Sequence, residues 1–67
     1  MKLNVKKLEA ERKRRKMSRE DFSRFLGLHW TSYGKIIDRE STTLARITSI
    51  AVALGISDKH LVITGRQ

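Results

Sequence analysis

The sequence predicts an all-α fold, a compact bundle of about five short helices. Apolar residues recur at intervals of three and four, the spacing of a helix face, and strand-like alternation is absent. The chain has no proline and no Asn-Gly hairpin signal, and glycines 27 and 55 follow the last apolar residue of two helical patterns. With 67 residues, we expect one domain, 1–67, with a limited core.

The first predicted helix covers Met1–Lys16 and is strongly basic. Val5 and Leu8 are its apolar side chains, and the stem of Arg12 extends the same stripe. Five consecutive cations, residues 12–16, end this helix, where the dipole favours positive charge. Three interpretations of this run stay open: a solvated charge cluster, a nonspecific contact with phosphate, or a nuclear targeting signal.

Residues 18–37 predict two short helices joined by a tight turn at Gly27, the helix-turn-helix layout. Ser18 is a good N-cap, and Asp21, three residues later, can complete a capping box. The first of these helices has an apolar face, formed by Phe22, Phe25 and Leu26. In the second helix the inward residues are Tyr33, Ile36 and Ile37, and the outward residues are Trp30, Thr31, Gly34 and Lys35.

After a polar connection, the run 44–54 gives the clearest amphipathic helix in the chain. Its predicted inward residues are Leu44, Ile47, Ile50, Ala51 and Leu54. Gly55 ends this helix, and Ser57 caps a final short helix with Leu61 and Val62 turned inward. As an alternative to this last helix, the β-prone run 61–64 could pair with a second chain. Residues 65–67 are expected to form a frayed tail.

Charge and composition narrow the class of function. Fifteen Lys and Arg against seven Asp and Glu give a formal charge of +8, which favours a polyanionic partner such as nucleic acid. There is no cysteine, and two isolated histidines do not form a metal site, so we expect no metal and no cofactor. No catalytic motif, apolar run of about 20 residues or secretory signal is present. We therefore expect a cytoplasmic protein that is not an enzyme, spans no membrane and needs no small-molecule ligand.

Several short motifs have the residue types and the spacing of one protein family. They are Met17-Ser18, the small Ser23, Leu26-Gly27-Leu28, the inward pair Tyr33 and Ile36, and the run Ala53-Leu54-Gly55-Ile56-Ser57. Together these motifs resemble the lambda-repressor-like (Cro/cI-type, XRE) helix-turn-helix family. The likeness covers about Leu8 to Leu61.

The chain also departs from this family's pattern at four positions. Arg19 stands where Gln is common, and His29 replaces a Ser or Thr N-cap. Ile37 replaces a glutamate that pairs with the Arg12 position, so Arg12 is exposed or finds another partner such as Asp38. Gly34 inside the second helix costs about 1 kcal/mol relative to alanine.

The resemblance implies which residues contact DNA. In this family the second motif helix lies in the major groove with its N-terminal residues against the base edges. The residues that this assigns to base contacts are Trp30, Thr31, Ser32 and Lys35. The residues that it assigns to phosphate contacts are Arg19, Arg39, Thr42 and Thr43. Trp30 could instead fold back on the core, and Arg39 could instead pair with Asp38 or Glu40.

The expected function is that of a sequence-specific regulator of transcription that binds double-stranded DNA. We expect a phage-type or bacterial repressor that acts by occupying an operator and is nucleoid-associated when bound. A homodimer, at least on DNA, would use Leu61, Val62 and Ile63. The alternative is a protein-interaction module on the same scaffold, an antitoxin or adaptor. Trp30, Phe25 and the C-terminal apolar cluster favour this alternative. Phe25 could either lie exposed in such a contact or pack on the first helix.

Overall fold

The computed structural model describes residues 1–63 and contains four α-helices. These are α1 (Val5–Arg14), α2 (Arg19–Phe25), α3 (Trp30–Arg39) and α4 (Leu44–Leu54). The predicted all-helical class is confirmed, but the expected fifth helix is wrong. Ser57 does cap the segment, yet only a three-residue 3₁₀ turn, Asp58–His60, follows it. Thr64 and the predicted tail, residues 65–67, lie outside the described residues.

The chain before α1 is extended, so the helix predicted from Met1 begins only at Val5. Asn4 caps it by accepting the Lys7 N–H at 3.1 Å. The extended segment bonds on two sides: the Leu3 N–H donates to the Glu40 carbonyl at 2.8 Å, and the Asn4 N–H donates to the Leu61 carbonyl at 2.7 Å. These are isolated bridges, and residues 1–63 contain no longer strand.

Segment 61–63 therefore pairs with the start of its own chain. The isolated bridge joins Leu3 to Val62, and the Ile63 N–H donates to the Lys2 carbonyl at 3.1 Å. Leu3 is fully buried, which explains why this short extended segment is held in place. Its contribution to the core was not expected from the sequence.

The turn between α2 and α3 forms as the sequence predicts. The Ser18 hydroxyl accepts the Asp21 N–H at 3.1 Å, although the Asp21 carboxylate bonds Arg24 at 3.3 Å instead of closing a capping box. At the other end Gly27 has φ of +78°, and the Leu28 N–H donates to the Ser23 carbonyl at 2.8 Å. This hydrogen bond and the left-handed glycine form a Schellman motif at the end of α2, in which glycine adopts the left-handed conformation without a steric cost.

Each of the four α-helices is followed by a residue in the left-handed backbone conformation, but only two of these four residues are glycine. Gly55 follows α4 with φ of +72°, whereas Lys16 follows α1 with φ of +57° and Glu40 follows α3 with φ of +54°. A left-handed non-glycine residue costs about 1–2 kcal/mol. The chain therefore carries local strain at Lys16 and Glu40.

One apolar core joins all of these elements. Its members are Leu3, Leu8, Phe22, Leu26, Tyr33, Ile36, Ile47, Ile50, Ala51, Leu54 and Leu61. Phe22 meets Tyr33 edge-on, with ring centroids 5.8 Å apart, and this contact fixes α2 against α3. The predicted inward position of Leu44 is wrong, because this residue lies at the edge of the α4 face and at its open first turn, 51% exposed.

Candidate nucleic-acid interface

Helix α3 anchors itself with two inward side chains and leaves its other surface open. Tyr33 and Ile36 are buried, as predicted. Trp30 is 59% exposed, Thr31 and Lys35 are also exposed, and Ser32 is half-buried between them. The alternative in which Trp30 folds back on the core is therefore wrong.

His29 caps the start of α3, although histidine is an uncommon cap. Its Nδ1 accepts the Thr31 N–H at 3.2 Å and lies 2.8 Å from the Thr31 hydroxyl oxygen. The Thr31 hydroxyl is thus already hydrogen-bonded within the protein.

A groove of about 460 Å³ follows one side of α3 and continues to the first turn of α4. Three cationic side chains line it, together with four hydroxyl-bearing residues. The cations are Lys35, Arg39 and Arg46, and the hydroxyl-bearing residues are Ser32, Ser41, Thr42 and Thr43. We call this surface the basic groove. It brings together five of the eight predicted DNA contacts.

The basic groove keeps its positive charge because the carboxylates that form ion pairs lie elsewhere. Glu40, next in sequence to Arg39, pairs with Lys2 at 3.8 Å. Across residues 1–63, no carboxylate comes within 4.0 Å of the cationic groups of Lys35, Arg39 or Arg46. The alternative ion pair of Arg39 with Asp38 or Glu40 is therefore not formed, and the groove presents an uncompensated positive field.

Arg46 was not among the predicted contacts. Thr43 caps α4 and accepts the Arg46 N–H at 3.2 Å, which places Arg46 in the first turn of this helix. A cation is unfavourable there, because the helix dipole is positive at its N-terminus. The first turn of α4 also contains no acidic residue. Sequence reasoning missed Arg46, although a cation that stands against the dipole in a predicted first turn was a signal that could have pointed to it.

A second hollow, of about 560 Å³, lies where α3 faces the start of α2. Arg19, Glu20, Trp30, Tyr33 and Gly34 line it, and we call it the Trp30 notch. The Arg19 side chain is 57% exposed, and its Nε lies 3.7 Å from the Glu9 carboxylate. Arg19 is thus separated from the other predicted phosphate contacts, which line the basic groove.

Glu9 holds α1, α2 and α3 together behind this notch. Its carboxylate accepts the Tyr33 hydroxyl at 2.5 Å and the Arg12 Nε at 3.1 Å. Burial alone would raise the pKa of Glu9, but the hydrogen bonds from Tyr33 and Arg12 outweigh it and lower this pKa. Burial and the neighbouring carboxylate raise the pKa of Tyr33, so its hydroxyl stays protonated. Arg12 therefore pairs with Glu9, not with Asp38.

The basic run 12–16 is largely structural. Arg14 and Arg15 both bind the buried carboxylate of Glu11, and the hydrogen bonds from these two side chains lower the pKa of Glu11 to about 2. Arg15 also lies over the ring of Phe25, 5.7 Å from its centroid. Phe25 in turn stacks on Phe22 at 6.2 Å, which leaves it 43% exposed. Phe25 is thus covered on two sides and open on another.

Comparisons of the chain with protein-family models, curated proteins and solved structures find no match. Within residues 1–63, no three potential metal-binding side chains of His, Cys, Asp or Glu converge on one point. No helix in this part of the chain combines the length and the apolar character needed to cross a bilayer.

Proposed function

We propose that this protein is a sequence-specific regulator of transcription that binds double-stranded DNA through a lambda-repressor-like helix-turn-helix. In this proposal α2 and the turn at Gly27 support α3, which enters the major groove. The observation that carries the proposal is the basic groove beside the exposed face of α3. Three cations without carboxylate partners, set among hydroxyl groups, suit the phosphates that border a major groove and the guanine edges inside it.

In this proposal most residues of the basic groove contact the DNA backbone, and the exposed residues of α3 contact the bases. Arg39, Arg46 and the hydroxyl groups of Ser41, Thr42 and Thr43 contact phosphates and fix the register of α3, while Ser32 lies beside the base-contacting residues. Lys35 and Trp30 then contact base edges, where Lys35 can donate to guanine O6 or N7. Because the Thr31 hydroxyl is hydrogen-bonded to His29, the methyl group of Thr31 is the part that meets a base. The consequence for transcription is occlusion of a promoter by an occupied operator.

A domain of this size contacts only a few base pairs, so binding to two half-sites as a homodimer supplies the remaining specificity. The expected dimer surface needs revision, because Leu61 is fully buried and Val62 is half-buried against Leu3. Of that group Ile63 remains, 39% exposed. An Ile63→Asp variant is therefore a better probe of dimerisation by sedimentation than Val62→Asp, which would disturb the core.

Selection of bound duplexes from a random pool tests the proposed function. We expect an enriched consensus with two inverted half-sites. Binding to that consensus should weaken with salt, and log K should fall by about 0.9 per contacted phosphate for each unit of log salt. Recovery of sequences no different from the input pool would overturn sequence-specific DNA binding.

The second candidate is a protein-interaction module on the same scaffold. Two exposed apolar side chains of α4 favour it, Leu44 at 51% and Val52 at 74%. A protein contact centred on them would depend only weakly on salt. The salt dependence of binding therefore discriminates between the two candidates.

A further inference from the structure

The Trp30 notch has a chemistry unlike that of the basic groove. Trp30, the only tryptophan of the chain, forms one wall and is 59% exposed. Gly34, one helical turn later, forms the floor, and a Cβ at this position would have no atom within 4 Å. The hollow therefore offers an aromatic surface beside a space that no side chain fills.

The indole is exposed but supported. It stacks on His29 with ring centroids 5.9 Å apart and an interplanar angle of 28°. His29 is itself held by its two contacts with Thr31. An aromatic ring held in this way can present its surface to a partner with little loss of conformational freedom.

The two charged side chains that line the notch each have a partner within the protein. The Arg19 Nε lies 3.7 Å from the Glu9 carboxylate, and Glu20 pairs with Arg24 at 3.5 Å. What the notch offers a partner is therefore its aromatic wall, which suits a small apolar group. In the major groove the apolar group that a base pair presents is the 5-methyl group of thymine, and 5-methylcytosine presents the same group.

We infer that the Trp30 notch receives a pyrimidine 5-methyl group, which makes Trp30 a specificity-determining residue. The absent side chain at Gly34 leaves room for the methyl-bearing edge, and the indole face covers the methyl. This inference rests on the proposed DNA-binding function and adds to it the kind of base that α3 selects. Thymine is the source to which we commit, since it is an ordinary component of DNA.

The test uses the full chain and the duplex selected from the random pool. Each thymine is replaced in turn by uracil, which removes only the methyl group, and binding is followed by fluorescence anisotropy. We expect one position per half-site at which uracil weakens binding about fourfold, the equivalent of about 0.8 kcal/mol for one buried methyl. At that position, 5-methylcytosine opposite guanine should bind more tightly than unmodified cytosine.

Three variants make the result specific. Trp30→Ala should bind the thymine and uracil duplexes equally, whereas Val52→Ala, at an exposed apolar site on α4, should keep the fourfold ratio. Gly34→Ala should raise the melting temperature, because alanine favours helix and meets open space, yet lower the thymine-to-uracil ratio by filling the notch. This opposite response separates an effect on the notch from a loss of folding.

The possible outcomes separate a failure of the Trp30 notch inference from a failure of the proposed DNA-binding function. Specific binding with equal affinity for thymine and uracil at every position would overturn the role of the notch and leave DNA binding intact. An unchanged thymine preference in Trp30→Ala would do the same. Failure to bind any selected duplex would instead refute the proposed function itself.

Discussion

Replacement of Glu11 by glutamine measures how strongly one buried carboxylate holds the basic end of α1. Glu11 is 6% exposed and faces three cations: Lys7 at 3.1 Å, Arg14 at 2.7 Å, and Arg15. Glutamine keeps the size and the carbonyl oxygen but removes the charge. The variant thus leaves these cations to repel one another without a counter-charge.

The size of the effect follows from the pKa of Glu11. Hydrogen bonds from Arg14 and Arg15 lower it from 4.5 to about 2. At about 1.4 kcal/mol per pKa unit, the upper limit is about 3 kcal/mol of stability. Because the Arg14 side chain is 66% exposed, water screens part of this interaction. We expect a loss of about 1–2 kcal/mol at pH 7.

The sign of the pH dependence is fixed by the direction of this shift. The folded protein binds the Glu11 proton less tightly than the unfolded chain does, so the carboxylate stabilises the fold above pH 4.5. This contribution falls as the pH drops from 4.5 to about 2. Urea unfolding of the wild type and Glu11→Gln should therefore give a large difference at pH 7 and a small one near pH 2.

Glu20→Gln is the matched control, since it removes the same charge from a carboxylate that is 68% exposed and pairs with Arg24 at the surface. We expect it to cost less than about 1 kcal/mol at pH 7. If Glu11→Gln cost no more than this control, or if its cost were the same at pH 2 as at pH 7, the electrostatic role assigned to Glu11 would be wrong.

Three further predictions concern binding and stability. Lys35→Ala should weaken operator binding by about 1–3 kcal/mol and relax the sequence preference at one base pair. Arg46→Ala should weaken binding to all DNA sequences alike and reduce the slope of log K against log salt by about 1. Anisotropy titrations measure both effects, with Lys59→Ala outside the groove as the control. An unchanged sequence preference in Lys35→Ala would contradict the register of α3. Lys16→Gly should raise the free energy of unfolding by about 1 kcal/mol by relieving the left-handed strain, while Lys13→Gly inside α1 should lower it by a similar amount. Effects of the same sign in urea unfolding would refute that reasoning. Tyr33→Phe should lower the free energy of unfolding by about 1–3 kcal/mol, because Glu9 loses a hydrogen-bond donor, and an unchanged melting curve would count against the Glu9 contacts.

Helix ends show what the sequence can predict about this fold. Gly27 and Gly55 were predictable, because glycine at the end of an apolar pattern favours the left-handed conformation. Lys16 and Glu40 adopt the same conformation although neither is a glycine, so no residue type marked these two helix ends in the sequence. The extended start of the chain was missed for a related reason, because Leu3 pairs with residues about 40 and 60 positions away.

In the candidate site, too, features set by residues close in sequence could be predicted, and features set by contacts between distant residues could not. The outward face of α3 follows from its apolar period, so Trp30, Thr31 and Lys35 were predictable as exposed residues. The basic groove was only partly predictable, because Arg46 joins it through the packing of α4 beside α3. The structural role of the run 12–16 depends on Glu9 and Glu11, which lie one helical turn before Arg12 and Arg14, so these ion pairs could be predicted from the sequence spacing alone.

The most direct test of the central claim is to map the DNA contacts by NMR, with ¹⁵N-labelled protein titrated with its selected duplex. The proposed function predicts that the largest chemical-shift changes occur in Trp30–Arg39 and in residues 41–46, which together carry the basic groove. The largest changes at residues 12–16, or on the exposed face of α4 around Val52, would contradict it.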